Sequence, residues 1–323
     1  MDLLFIIDPL DHIKTHKDSS FAMMREAARR GHGIWTCETR QLHWQRGETV
    51  SARGAQRLLL SAEAVASGYG SKLSDWYVPH VERQLPLCSV DAVLMRKDPP
   101  FDAEFIYATH LLSQAGREGA KVFNQPSALR EHPEKLAILE FPDFIAPSLV
   151  SRDAEALRAF HAEQQDVIFK PLDGMGGMGI FRVRADGLNL GAILEQLTHY
   201  GTQTIMAQRF LPEIVEGDKR VLLIDGVPVS HALARIPQGG EVRGNLAAGG
   251  KGVAMPLTAR EREVAEALGP QLAARGLLLV GLDLIGGYVT EINVTSPTCF
   301  QEISAQAGLD VAKQFIDALE SRV

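Results

Sequence analysis

A glycine-rich segment in the middle of the chain constrains the possible folds more than any other feature. Residues 168–183 read IFKPLDGMGGMGIFRV and carry four glycines, Gly174, Gly176, Gly177 and Gly179. Three of them match the G-x-G-x-x-G pattern of dinucleotide-binding proteins, but that pattern requires a helix directly after the loop. Here residues 180–184, IFRVR, alternate apolar and polar side chains as a strand does. The segment therefore predicts a β-hairpin with a flexible loop at its end.

Such a loop can bind phosphate groups. Glycine has no side chain, so the backbone N–H groups of the loop can approach phosphate oxygens closely. Lys170 lies in the strand that leads into the loop, and its ammonium group can contact the same phosphates. An ordinary hairpin turn with a surface lysine is the alternative, although such turns seldom contain four glycines. No Gly-Lys-Ser/Thr follows the loop, so this is not a Walker A sequence.

A second hairpin carries acidic residues. Residues 277–297 read LLLVGLDLIGGYVTEINVTSP, in which an apolar strand, a Gly-Gly turn and a returning strand follow one another. Glu291 and Asn293 are two residues apart and therefore point to the same face. Carboxylate and amide oxygens are ligands that Mg²⁺ prefers, with phosphates and water completing its coordination. Asp283 can join them only if the turn is wider than two residues or a bulge intervenes. Capping or buried hydrogen bonds are the structural alternative.

The two ends of the chain predict different kinds of sheet. Strands alternating with helices in the first part predict a parallel, doubly wound α/β sheet, with strands at residues 3–7, 33–38, 91–95 and 121–124 and helices at 18–31 and 101–116. Residues 42–87 predict only a helix or two. After a proline-interrupted stretch at 127–147, short strands and glycine turns predict an antiparallel α+β region, with helices at 154–162, 190–200, 259–275 and 309–322.

Composition excludes several function classes. A net charge of −7, without clusters of Lys or Arg, argues against general binding to nucleic acid or to an anionic membrane. The N-terminal apolar run is too short to span a bilayer and lacks the features of a signal peptide. The three cysteines, Cys37, Cys88 and Cys299, form no CxxC motif, which argues against a disulfide framework or a zinc site. A cytoplasmic location is therefore expected.

Together these segments resemble the ATP-grasp superfamily and, more closely, its bacterial glutathione synthetase family. The similar stretches extend in order over nearly the whole chain and include KDSSFAM at 17–23, LMRKDPPFDAEFIYAT at 94–109, GDKRV at 217–221, ARIPQGGEVRGNLAAGGKG at 234–252 and GLDLIGGYVTEINVTSPT at 281–298. The resemblance implies an ATP-grasp fold with an N-terminal Rossmann-like domain at 1–126, a central lid domain at 127–211 and a C-terminal domain at 212–323. It also implies that ATP drives the joining of γ-glutamylcysteine and glycine, with Mg²⁺ or alternatively Mn²⁺, in a homo-oligomer, often a tetramer.

The resemblance also implies roles for individual residues. The nucleotide would be bound by Lys135, Lys170, the four flap glycines, Gln208, Leu211 and Asp218. The dipeptide would be bound by Asp18, Ser19, Ser20 and Arg96, and the metal by Asp283, Glu291 and Asn293. Two positions depart from the family pattern. Arg209 replaces a smaller polar residue, and Gln301 replaces an arginine, which puts one contact to a substrate carboxylate in question.

The arginines and the loop after them suggest how the reaction is completed. Arg220, Arg235 and Arg243 are the candidates to neutralise the transferring phosphoryl group and the oxyanion, and Arg220 shares a strand face with Asp218. Each could equally form an ordinary ion pair. Residues 236–252 contain six glycines and few apolar anchors, so they are expected to form a lid. Cys299 has no evident His–acid pair to activate it, which argues against a nucleophile there.

Three other functions remain open from the sequence. The chain could be another ATP-grasp ligase that adds glutamate or D-alanine, although the segments KDSSFAM and MRKDPPFD favour the dipeptide. A Rossmann oxidoreductase would use the glycine loop for its cofactor, which the strand after that loop opposes. A non-catalytic nucleotide-binding regulator would not need both lysines and all the acidic ligands.

Overall fold

The computed structural model describes residues 1–240, 243–246 and 249–323, and within these ranges the strands form three sheets. The N-terminal sheet contains strands β1 (Asp2–Ile6), β2 (Gly33–Cys37), β3 (Leu42–His43), β4 (Ser51–Leu60), β5 (Tyr77–Pro86), β6 (Ala92–Met95) and β7 (Val122–Phe123). Helices α1 (Ser19–Arg29), α2 (Ala62–Ala66) and α3 (Ala103–Arg117) belong to the same region. Helix α1 begins as predicted, because the Asp18 carboxylate accepts a hydrogen bond from the Phe21 backbone N–H.

Only one half of this sheet is parallel. The strand order is β3-β4-β2-β1-β6-β7, and β1 pairs in parallel with both β2 and β6. Strand β4 pairs antiparallel with β2, β3 and β5, so the predicted doubly wound sheet is correct for the parallel half alone.

The prediction of a helix or two in residues 42–87 is wrong for most of that segment. A long hairpin of β4 and β5 occupies it, and α2 is a short helix between the two strands. The sequence did not reveal the hairpin because most side chains of β5 are exposed, so the strand lacks the alternation of apolar and polar residues. Pairing with β4 stabilises it instead.

The central sheet follows a short helix, α4 (Pro126–Glu131), and has the order β10-β9-β11-β8. Its antiparallel strands are β8 (Ser148–Ser151), β9 (Val167–Pro171), β10 (Phe181–Val183) and β11 (Ile205–Arg209). Helices α5 (Ala154–Gln164) and α6 (Leu190–Thr198) bury Leu157 and Leu194 against Phe169 of the sheet. These side chains form the hydrophobic core between the helices and this sheet.

The C-terminal sheet has the order β15-β14-β12-β16-β17, with β13 paired to β12. Its strands are β12 (Asp218–Ile224), β13 (Val227–Pro228), β14 (His231–Ile236), β15 (Lys251–Pro256), β16 (Leu279–Ile285) and β17 (Tyr288–Asn293). Helices α7 (Ala259–Ala274), α8 (Phe300–Ala307) and α9 (Val311–Arg322) complete the chain. The antiparallel pairing predicted for this region is observed, whereas α4 and α8 were not predicted.

Each of the three sheets falls within one of the predicted domains, although the domain boundaries themselves stay a prediction. Among the described residues, we find no helix with the length and apolar character needed to cross a membrane.

Candidate active site

A cavity of about 290 Å³ lies between the central and C-terminal sheets. Most of the predicted site residues line it, including Lys135, Lys170, Gly174, Gly176, Gly177, Gln208, Leu211, Asp218, Arg220, Arg235, Arg243, Glu291 and Asn293. Asp283 and Gly179 do not line it, and neither do Asp18, Ser19, Ser20 and Arg96. The residues predicted for the nucleotide and for the metal therefore converge from separate parts of the sequence.

The glycine segment forms the predicted hairpin. Strand β10 pairs antiparallel with β9, in a register that places Phe181 opposite Phe169 and Val183 opposite Val167. Gly177 in the loop has a φ of 84°, a left-handed conformation that glycine adopts without strain. A hairpin rather than a strand–helix turn thus surrounds one end of the cavity.

Two buried lysines extend into this cavity beside the hairpin. Lys170 donates to the Thr290 carbonyl at 3.3 Å, and burial lowers its pKa to about 8, with the Lys135 charge acting in the same direction. Lys135 donates to the Gly174 carbonyl at 2.5 Å and lies 3.5 Å from a carboxylate oxygen of Glu291. The two ammonium groups form a positive end that suits a polyphosphate.

The acidic hairpin contains the bulge that the sequence required. Strands β16 and β17 are joined by a tight turn at Gly286-Gly287. Their register shifts between Leu284 and Asp283, so that Asp283 lies opposite Glu291. Directly opposed residues of an antiparallel pair share a face. The bulge therefore brings Asp283 to the face of Glu291 and Asn293, as the prediction needed.

Asp283 already forms ion pairs with two arginine side chains. Its carboxylate receives hydrogen bonds from the Arg220 guanidinium, and its Oδ2 lies 2.9 Å from Arg235 Nη2. Burial alone would raise the pKa of Asp283, but the two guanidinium groups outweigh burial and hold that pKa below its usual range. A metal ion at Asp283 would have to share this carboxylate with both arginines.

Glu291 and Asn293 fit a metal ion better. Both line the cavity, and the Asn293 amide nitrogen donates to the Gly281 carbonyl and to Asp283 Oδ2, each at 3.2 Å. Its carbonyl oxygen is therefore the atom left to bind a cation. Within the described ranges no cluster of three or more His, Cys, Asp or Glu side chains could hold a metal by itself. One carboxylate plus one amide suits an ion that takes its remaining ligands from phosphates and water.

Asp218 also pairs with Arg235, and it lines the cavity together with residues 208–211, which lead out of β11 towards the C-terminal sheet and form the hinge between the two sheets. Its Oδ2 lies 2.6 Å from Arg235 Nη2, while burial raises its pKa to about 6 against the effect of that guanidinium. Its Oδ1 is buried and has no hydrogen-bond partner among the described residues, so it can accept a hydrogen bond from a ligand hydroxyl. The hinge itself contains Gln208, whose Nε2 donates to Ser148 Oγ at 2.9 Å.

Comparison with known proteins agrees with this geometry. Residues 1–130 match the model of the prokaryotic glutathione synthetase N-terminal domain, and residues 134–308 match the model of the ATP-grasp domain of the same family. The chain belongs to the prokaryotic glutathione synthetase family. It is thus an ATP-dependent ligase, and the family match confirms the predicted fold and enzyme class. Enzymes of this family use ATP with a divalent cation.

Relatives cover the chain from end to end. A protein of Ralstonia nicotianae named glutathione synthetase is 59% identical over 99% of this chain and 95% of its own length. Another of that name, from Nitrosomonas europaea, is 57% identical over 100% of this chain and 98% of its own length. Among solved structures, the D-cycloserine synthetase DcsG superposes with a TM-score of 0.67 at 17% identity, covering 100% of this chain and 99% of DcsG. That last likeness shows the fold alone.

In this member of the family, the residues predicted for the dipeptide form a cluster beside the cavity. Ser20 Oγ accepts a hydrogen bond from Arg96 Nε at 3.1 Å, and Ser19 Oγ accepts one from the Phe300 backbone N–H at 3.2 Å. Arg96 is buried without a carboxylate at ion-pair distance among the described residues, and burial lowers its pKa. An unpaired buried guanidinium favours an anionic ligand. The cluster lies next to the cavity wall, because Arg96 also donates to the carbonyl of Pro297, whose neighbours Ser296 and Thr298 line the cavity.

The sequence did not single out Glu134, which also lines the cavity. Burial raises its pKa to about 7, and the nearby Glu291 charge adds to that effect. Its backbone carbonyl accepts a hydrogen bond from Ile292 N at 2.9 Å, which ties it to β17. Its position directly before Lys135 was the only signal available, and adjacency alone does not distinguish it from a surface acid.

Cys299 lines the cavity but is poorly suited to act as a nucleophile. Burial raises the pKa of its thiol, which disfavours the reactive thiolate. Arg209 and Phe210 also line the cavity at the hinge.

The glycine loop touches residues of the predicted lid, and that contact is testable. The predicted lid at 236–252 includes residues 241–242 and 247–248, which lie outside the described residues. Where it is described, a Cβ added to Gly177 would lie 2.7 Å from Asn245 Oδ1. We expect Gly177→Ala to raise KM for ATP by roughly fivefold, about 1 kcal/mol, because the added Cβ displaces the Asn245 side chain from the glycine loop.

The control is Gly187→Ala, which has a similar left-handed φ of 64° but would meet only a His161 carbon at 3.8 Å. Steady-state kinetics of both variants, and of Gly177→Ala combined with Asn245→Ala, separate the clash from backbone strain. Equal KM values in the two single variants would show that the contact has no role.

Proposed function

We propose that this chain joins γ-glutamylcysteine to glycine and converts ATP to ADP and phosphate, giving glutathione. The convergence of two buried lysines with Glu291 and Asn293 on one cavity is the observation that carries the proposal. The names of the relatives, at up to 59% identity over almost the whole chain, support the choice of substrates.

A carboxylate must be activated before an amine can replace its oxygen, because oxide is a poor leaving group. Transfer of the γ-phosphoryl group of ATP to the cysteinyl carboxylate gives an acyl phosphate and ADP. The glycine amine then attacks the acyl carbon, loses a proton, and expels phosphate from a tetrahedral intermediate. Such steps depend mainly on positioning the reactants and neutralising negative charge.

The residues of the cavity are assigned to those needs. Lys135 and Lys170 would neutralise the ATP phosphates, beside the backbone N–H groups of the glycine loop. Arg220, Arg235 and Arg243 would face the transferring phosphoryl group and the oxyanion, and all three line the cavity. Gln208 and Leu211 at the hinge would bind adenine, and Asp218 a ribose hydroxyl.

Mg²⁺, with Mn²⁺ as an alternative, is the proposed metal ion, and Glu291 and Asn293 would hold it. The bulge places Asp283 opposite Glu291, where its carboxylate would add negative charge to the same metal site. A divalent cation bound there neutralises charge on the phosphate oxygens.

The loop at 236–252 is proposed to close over the acyl phosphate and exclude water. Its described part approaches the charge network closely: a Cβ on Gly244 would lie 2.2 Å from the Arg235 carbonyl oxygen. Only glycine permits such an approach, which supports a close-fitting cover at this point.

Three further features remain proposals. The domain division at 126 and 211 is supported by the location of each sheet. A homo-oligomer is supported by the sheet-edge strand β5, on which Val78 and Val81 are 58% and 40% exposed, and a tetramer is proposed from the family resemblance. A cytoplasmic location is supported by three free cysteines and by the need for ATP.

An ATP-dependent phosphate-release assay tests the proposed function. With Mg²⁺ and γ-glutamylcysteine, we expect rapid phosphate release and glutathione formation only when glycine is added, because the acyl phosphate is shielded from water. D-Alanine and glutamate serve as competing amine acceptors. Turnover with one of these but not with glycine would assign the chain to another ATP-grasp ligase activity.

A further inference from the structure

Gln301 stands where the family resemblance predicts arginine, and it makes hydrogen bonds that an arginine could not all make. It is the second residue of α8 and is 1% exposed. Its Nε2 donates to the Thr15 carbonyl at 2.9 Å and to the Asp18 carbonyl at 3.3 Å, and its Oε1 accepts from the Gly70 backbone N–H at 3.1 Å. A glutamine supplies both donors and an acceptor, whereas an arginine supplies donors only. The residue therefore matches three backbone groups on two separate segments.

The two segments are also bound to each other. Thr15 Oγ1 donates to the Ser71 carbonyl at 3.0 Å and accepts from the Leu73 backbone N–H at 2.9 Å. A loop at residues 70–73 of the segment 42–87 thus contacts the turn that precedes α1. Gln301 is the point at which this loop, the turn at 15–18 and helix α8 meet.

That turn leads directly into the residues assigned to the dipeptide. Ser19 and Ser20 begin α1, and Ser19 Oγ accepts from the backbone N–H of Phe300, the neighbour of Gln301. On the other side, Arg96 donates to the Pro297 carbonyl at 2.9 Å. Residues 297–301 therefore tie the dipeptide cluster to the chain that leaves the Glu291 hairpin.

We propose that Gln301 is a positioning residue for the dipeptide: it fixes the start of α1 relative to the acidic hairpin and so sets where the substrate carboxylate lies. This inference rests on the proposed function, because it assumes that Ser19, Ser20 and Arg96 bind γ-glutamylcysteine. Gln301 acts through the backbone of the turn and does not touch the substrate. Loss of its hydrogen bonds should therefore weaken dipeptide binding and leave ATP binding intact.

The chain offers a closely matched control. Gln41 Nε2 also donates to two backbone carbonyls, those of Arg53 and Gly54, each at 2.9 Å. Its Oε1 likewise accepts from one backbone N–H, that of Glu38 at 2.7 Å. Gln41 lies at the edge of the N-terminal sheet and lines no part of the cavity. Gln41→Met and Gln301→Met thus remove the same set of hydrogen bonds at two places.

The experiment compares both variants with the unaltered enzyme by steady-state kinetics, thermal unfolding and calorimetric titration of γ-glutamylcysteine. For Gln301→Met we expect KM and Kd for the dipeptide to rise about tenfold, while KM for ATP stays within about twofold, since one or two buried hydrogen bonds per segment are lost. For Gln41→Met we expect a lower Tm and unchanged KM values. A lower Tm in both variants with an unchanged dipeptide KM would overturn the inference.

Gln301→Arg keeps the test decisive if Gln301→Met does not fold. Arginine retains donors for the Thr15 and Asp18 carbonyls but cannot accept from Gly70, so a smaller rise in dipeptide KM is expected. An unchanged or lower dipeptide KM would contradict the proposal. If the unaltered enzyme does not turn over γ-glutamylcysteine, the proposed function fails; if it does and the Gln301 variants match it, only this inference fails.

Discussion

Replacing Glu291 with glutamine should lower kcat/KM by about 1,000-fold at fixed Mg²⁺, because the substitution removes the carboxylate assigned to the cation while keeping the shape of the side chain. The loss should be accompanied by a large increase in the Mg²⁺ concentration needed for half-maximal activity. Lys135 lies 3.5 Å from this carboxylate. Because the carboxylate would no longer hold the Lys135 ammonium group in place, KM for ATP should rise as well. Initial rates measured across a Mg²⁺ titration provide the test.

Glu195→Gln is the matched control, because this glutamate of α6 is exposed and lines no part of the cavity. It should have the Mg²⁺ dependence and rate of the unaltered enzyme. If Glu291→Gln retained full activity with an unchanged Mg²⁺ requirement, the acidic hairpin would not be the metal site. A change in Tm alone would lead to the same conclusion.

Replacing Arg235 with methionine should lower the free energy of unfolding by about 3–5 kcal/mol at neutral pH, because it leaves buried carboxylates without their shared cation. Arg235 Nη2 lies 2.6 Å from Asp218 Oδ2 and 2.9 Å from Asp283 Oδ2, and the side chain is buried. After the substitution, the pair of Asp283 with Arg220 would remain, and Asp218 would lose its ion-pair partner among the described residues. Urea unfolding of the enzyme without ligands measures the difference.

The effect of Arg235→Met should depend on pH in a defined direction. Burial already raises the pKa of Asp218 to about 6, above its usual value of 3.8, so its ionisation costs stability as the pH rises from about 4 through 6. Removing the guanidinium raises this pKa further and also raises that of Asp283. The part of the destabilisation that comes from Asp218 should therefore be largest near pH 8 and should decrease as the pH falls towards 6, where this carboxyl becomes protonated in both proteins. The part that comes from Asp283 should persist to lower pH, because Arg220 still pairs with that carboxylate.

Arg322→Met is the control for a surface ion pair. Arg322 lies 2.6 Å from Asp225, and the two side chains are 52% and 28% exposed. Removing such a pair should change the free energy of unfolding by less than about 1 kcal/mol. If both variants lost the same small amount of stability, the buried charge network would contribute no more than a surface ion pair does.

The glycine hairpin and the acidic hairpin were predictable because their signals are local. The alternation after the glycines distinguished a strand from a helix, and the Gly286-Gly287 turn bounded the second hairpin. The exact pairing was not predictable. The sequence allowed either face for Asp283, and only the bulge opposite Leu284 and Asp283 brought it to the face of Glu291.

Other features depend on contacts between segments that are distant in sequence. Strand β5 is stabilised by β4 and exposes most of its side chains, so its own residues gave no strand pattern. The double ion pair of Asp283 joins β12, β14 and β16, and no single segment indicates it. Gln301 is joined to Gly70 across 231 positions of the chain, so its departure from the family pattern could not be interpreted from the sequence.

The sequence by itself determined the ATP-grasp family and the ligase class through its resemblance to the bacterial glutathione synthetase family. It also determined the two hairpins and their charged residues, because glycine spacing, strand alternation and acid spacing are properties of short segments. The tertiary structure decided which charges are already paired, which remain available to ligands and which backbone groups hold the dipeptide cluster in place. Those properties depend on burial and on distances of a few ångströms between strands and helices far apart along the chain. They exist only after the three sheets have packed together.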